Sequence, residues 1–153
     1  MKLFLVLVTF LVGTIATAHV GHNHPPMSGH LVFKNGLVHV HATFPKTPVV
    51  GQEALLILET KDAATHQTIA LDDSVEVVLW MPSMGHGSAP TQIQRILDSN
   101  GEVVAGVFHV RNVYFTMGGE WDVRVVLTNS ESVKETQTFK MILNGSGHGG
   151  GHN

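Results

Sequence analysis

From His30 to Leu143 apolar and polar residues alternate with a period of two, and pairs of turn-forming residues break the pattern at short intervals. A period of two belongs to strands with one buried face; no segment sustains the 3.6-residue period of a helix. The alternation predicts strands at His30–Phe33, Leu37–Phe44, Glu53–Glu59, Val75–Met81, Ile93–Leu97, Val103–Val110, Val113–Phe115, Trp121–Leu127 and Val133–Leu143. Asn35-Gly36 between the first two is a hairpin signal, since both residues tolerate the positive φ that tight hairpin turns require. Asp72-Asp73, Asn100-Gly101, Gly118-Gly119 and Asn129-Ser130 separate later strands. Short strands at this spacing predict an all-β fold, an immunoglobulin-like sandwich of about seven to eight strands.

The two ends of the chain break the pattern. Lys2 precedes an apolar run from Leu3 to Ala16, and Ala16-Thr17-Ala18 supplies the small residues of a cleavage box. That order is the signature of a secretory signal peptide. The run is shorter than the roughly 18 residues a spanning helix needs. We therefore expect a signal peptide at 1–18, a His-rich flexible leader at 19–29, the β-sandwich domain at 30–143 and a Gly/His-rich tail at 144–153. The expected location is periplasmic or secreted, with no stable membrane insertion after cleavage.

Cleavage after Ala18 leaves 153 − 18 = 135 residues, one domain's worth of chain. A chain of that size buries roughly two-thirds of its unfolded surface, enough for a core without covalent staples. None is available: the chain has no Cys, which also excludes thiolate metal sites, thiol catalysis and a lipid anchor at the cleavage site. Twelve acidic residues against nine basic ones argue against a nucleic-acid partner, which favours a basic face.

Histidine carries the chemical signal. There are eleven, all after Ala18, and six fall between His19 and His41. Cleavage would free the α-amine of His19, and amine plus imidazole can chelate one Cu(II), with His22 and His24 nearby. A less selective His-rich arm, binding several divalent metals weakly, is the other reading of this leader and of His148 and His152 in the tail. On the second strand His39 and His41 share a face, either as a two-point metal ligand or as a polar solvent face. In Trp80-Met81-Pro82-Ser83-Met84-Gly85-His86-Gly87, the proline and glycines end regular pairing and expose Met84 and His86 at a sandwich end. Thioether sulfur is soft and favours Cu(I), and imidazole suits either copper oxidation state. Met117, beside Gly118-Gly119, is placed to meet them. Met81 and Met117 serve equally well as core packing, which is the simplest assignment for Trp80 and Trp121. His66 and His109 stand alone and receive no role.

The W-M-P-S-M-G-H-G segment, the later Gly106-Val107-Phe108 and the run Tyr114-Phe115-Thr116-Met117-Gly118-Gly119-Glu120-Trp121-Asp122-Val123-Arg124-Val125 together resemble the YtkA-like/FixH-like domains of bacteria. The resemblance covers roughly Val75 to Leu127. It implies an immunoglobulin-like fold and an exported protein associated with copper handling or cytochrome oxidase assembly. It puts Met81, Met84, His86 and Met117 at the family's Met/His positions. The cleavable N-terminus departs from membrane-anchored members, and the His-rich ends lie outside the family pattern.

The expectation is a copper chaperone, buffer or resistance factor and not an enzyme. It would take Cu(I) at the Met/His loops and Cu(II) or other divalent metals at the ends. A copper-receiving protein or an oxidase assembly factor would be its partner. A second class, an interaction module without specific metal function, predicts no metal affinity once both ends are trimmed. A third, an oxidative enzyme built on an N-terminal His copper centre, is opposed by a short chain with 7% aromatic residues and no evident substrate surface.

Overall fold

A computed structural model describes residues 27–144. The signal-peptide assignment, His19, His22, His24 and the tail histidines lie outside the described residues. Among the described residues nine strands form two antiparallel sheets: β1 (Met27–Phe33), β2 (Val38–Phe44), β3 (Glu53–Asp62), β4 (Ser74–Met81), β5 (His86–Gly87), β6 (Gln92–Leu97), β7 (Val103–Tyr114), β8 (Gly119–Thr128) and β9 (Lys134–Leu143). One sheet has the order β1-β2-β3-β7-β6 and the other β5-β4-β8-β9. Among the described residues no helix is long and apolar enough to cross a membrane.

The alternation is clearest in β2 and β4 and breaks in β6, where Gln94 and Arg95 are both exposed, and in β8, where Val125, Val126 and Leu127 are all buried. Val38, Val40, Ala42 and Phe44 of β2 are buried, as are Val77, Leu79 and Met81 of β4. Both sheets turn these faces to one shared core, whose largest fully buried side chains include Trp121, Phe33, Phe44, Phe108 and Phe115. Each such side chain contributes roughly 1.5–3 kcal/mol of burial, which is how a chain without disulfides holds two sheets together. The β1–β2 turn follows the Asn-Gly signal: Asn35 and Gly36 have φ of 54° and 90°, and the Leu37 N–H donates to the Lys34 carbonyl at 3.2 Å.

Four details differ from the sequence expectation. The first strand begins at Met27, so Met27, Ser28 and Gly29, placed with the leader, pair with Phe44, Thr43 and Ala42. Gly29 belongs there because a Cβ would lie 2.5 Å from the Phe139 ring; the glycine that looked like a linker residue admits a close contact between sheets. The segments Val103–Val110 and Val113–Phe115 are parts of one strand, β7, interrupted by a bulge. Asn112 sits there at φ 57°, its N–H donating to Glu53 Oε1 at 2.9 Å. His86 and Gly87 form the short strand β5 where open loop was expected. Trp80, expected in the core, lies on the outer face between inward Leu79 and Met81, with the Arg124 guanidinium 5.1 Å from its ring centre.

Candidate functional site

Met81 is the last residue of β4, and His86 is its direct partner across a four-residue turn. Directly opposed residues of an antiparallel pair project to the same face, with Cβ atoms about 4.5–5.5 Å apart. Met81 faces the core and is 4% exposed, so His86 is drawn to the core side of the sheet at this rim and is half-buried. The turn is fixed by two N–H groups, those of Met84 (3.2 Å) and Gly85 (3.0 Å), both donating to the Met81 carbonyl. Gly85 has a φ of 65°, in the region glycine favours. Met84, at the turn's tip, is 58% exposed.

The β7–β8 connection closes the same end of the sandwich. A Cβ on Gly119 would lie 2.7 Å from Met81 Cε, so the missing side chain is the space that the Met81 methyl uses. Two residues earlier, the Met117 carbonyl accepts a hydrogen bond from Trp121 Nε1 at 3.0 Å. Trp121 is buried edge-on against Phe115 at 5.5 Å, and Phe115 packs 6.0 Å from Phe44. This aromatic floor holds the Met117 backbone in place, while the Met117 side chain packs partly buried against the core. Met81, His86 and the Met117 segment thus meet at one rim, and Met84 projects from it. A surface groove of about 380 Å³ between Pro45–Val49 and Arg111 contains none of these residues.

The second group of predicted ligands lies elsewhere. His39 and His41 project from the outer face of β2, and the structure adds two histidines to which no role was assigned. β1 sets His30 directly opposite His41. The His30 ring centre lies 4.6 Å from that of His39 and 4.9 Å from that of His41. The turn after β3 brings the His66 ring to 6.4 Å from His39. That turn is organised by Asp62, whose Oδ1 accepts from Ala64 N (3.1 Å), Thr65 N (2.8 Å) and Thr65 Oγ1 (2.9 Å). The Thr65 amide, first among these donors, holds the Asp62 carboxyl below its ordinary pKa. Burial, then the neighbouring His30 and Lys61, lowers the His41 pKa below the ordinary imidazole value. On the far side of His41, Glu59 accepts from Thr68 Oγ1 at 2.5 Å, a bond that holds its pKa low.

This two-sheet sandwich, with a Met/His rim on the β4–β5 turn and the β7–β8 connection, is a single small β-domain of the kind the motifs suggested. The YtkA-like family model matches residues 35–126, and the chain belongs to that family. No curated protein and no solved structure matches it.

Proposed function

We propose that this protein is an exported copper-binding protein that takes Cu(I) as cargo at the Met81–His86 rim and passes it on by ligand exchange. The observation that supports this reading best is the direct opposition of Met81 and His86, with Met81 Cε seated over Gly119. A thioether and an imidazole held side by side on a rigid strand pair are the donors that a soft monovalent ion prefers. Met117, two residues from Gly119, and the exposed Met84 are the further donors. Met84 is the one placed to reach an incoming partner first. Cargo transfer needs no bond-making chemistry, so no catalytic residue is assigned. The terminal histidines would add Cu(II) or other divalent metals, and export would bring the protein to the periplasm or the medium. There a copper-receiving protein, such as an oxidase assembly factor, would take the ion.

The test is a Cu(I) competition titration of the secreted protein against its Met84→Ala/His86→Ala variant. Both side chains lie at the rim and outside the core, so the variant should fold. Loss of one tight equivalent supports the site. Unchanged binding overturns it and leaves an interaction module with metal-binding ends.

A further inference from the structure

We infer that the outer face of the β1–β2 hairpin is a second metal site, in which His30, His39 and His41 bind one divalent transition cation independently of the Met/His rim. His30 and His41 are directly opposed, and His39 lies two residues from His41 on the same face, so backbone pairing alone gathers three imidazoles. Their centres lie within 4.9 Å of the His30 ring. His66 borders the group beyond His39, and Glu59 faces it from β3. No thioether joins this face among its strand partners, which are Ser28, Val32, Thr43, Glu59 and Lys61. An all-imidazole donor set suits Cu(II), Ni(II) and Zn(II), with Cu(II) bound most tightly.

The rings pack edge to face, and no three His, Asp or Glu side chains among the described residues converge on one point. Binding therefore needs ring rotation. His30 is exposed and His39 and His41 are half-buried, so the rings can turn without repacking the core. The torsion that turns an imidazole is broad and roughly two-fold, which keeps the rearrangement easy.

The site exists only when β1 and β2 are paired, and this separates it from any histidine whose binding does not depend on the fold. A ligand raises the unfolding midpoint only by binding the folded state better than the unfolded one. The experiment is thermal unfolding of the full chain at pH 7.5 with and without Zn(II), alongside the His30→Asn variant and the triple His30→Asn/His39→Asn/His41→Asn variant. At about a hundredfold excess over Kd the wild-type midpoint should rise by about 5–10 °C. The rise should shrink in His30→Asn and vanish in the triple variant, while Cu(I) titration is unchanged in both. Amide resonances of His30, His39 and His41 should shift on addition of Zn(II). No rise in the wild type, an equal rise in His30→Asn, or amide shifts elsewhere only would each overturn the proposal. Because His30 is exposed on an edge strand, the single variant keeps the test decisive even if the triple variant fails to fold.

Discussion

Met81 is claimed by both the core and the proposed copper rim, and two substitutions separate the claims. Met81 is 4% exposed, and its methyl occupies the space over Gly119. Met81→Ala removes that buried side chain, and Gly119 has no side chain with which to fill the gap. A cavity should persist, placing the cost at about 3–4 kcal/mol within the 2–5 kcal/mol typical of Met→Ala in a core. For a domain of this size that lowers the unfolding midpoint by about 10 °C. Met81→Leu nearly conserves volume and should cost less than about 1.5 kcal/mol, but it deletes the sulfur just as completely. Stability, read by denaturant unfolding, should therefore rank wild type, Leu, Ala. Cu(I) affinity, read by competition with a chromogenic chelator, should drop about 100-fold or more in both variants alike, since even the loss of an outer-shell partner of a metal ligand costs 10–100-fold. If Met81→Leu binds Cu(I) within about twofold of wild type, Met81 is a core residue only. If Met81→Ala costs less than about 1 kcal/mol, the packing argument fails.

Four further outcomes can be checked. Gly119→Ala would put a Cβ 2.7 Å from Met81 Cε at a φ of 124°, and should cost about 1–3 kcal/mol in denaturant unfolding while weakening Cu(I) binding. Gly106→Ala, at φ 72° with a Cβ 2.8 Å from Thr60 Oγ1, should cost about 2–4 kcal/mol and leave Cu(I) affinity of the folded fraction unchanged. Trp121→Phe removes the donor to the Met117 carbonyl while keeping a ring in the core, and should cost about 1–3 kcal/mol by the same measurement. The fourth concerns pH. The folded pKa of His41 lies below its unfolded value of about 6.5, so the unfolded chain takes up the proton first. Stability should fall as pH drops through about 6.5 and flatten below the folded pKa. His41→Asn should reduce that slope; an equal slope in the variant would contradict it. The low pKa of Glu59 acts in a separate window, stabilising above the ordinary carboxylate value and losing that contribution as pH falls below about 4.5.

The sandwich was legible because burial on one face of a strand writes itself as alternation, and Asn35-Gly36 sets φ positive at the turn. What escaped was carried by geometry that alternation does not encode. Gly29 reads as linker until Phe139 is packed against it. The bulge at Asn112 divides β7 in sequence while leaving it one strand in space. Trp80 is large and apolar, which suggests the core, but strict alternation between Leu79 and Met81 sends it outward. The Met/His rim was visible as residue types, yet the Met81–His86 pairing depends on a four-residue turn whose closure the sequence only hints at with Gly85. His30 was within reach: setting Lys34 opposite Leu37 across Asn35-Gly36 and counting outward places His30 opposite His41. His66 was not, because the Asp62-centred turn that brings it back to β2 is set by side-chain hydrogen bonds.

The most direct measurement of the copper claim is X-ray absorption at the copper edge on the protein carrying one equivalent of Cu(I), beside the Met84→Ala/His86→Ala variant. A first shell dominated by sulfur with one imidazole nitrogen, converting to a nitrogen-rich shell in the variant, is the predicted result. A shell of nitrogen alone in the wild type, unchanged in the variant, would contradict it and move the copper from the Met81–His86 rim to the histidines.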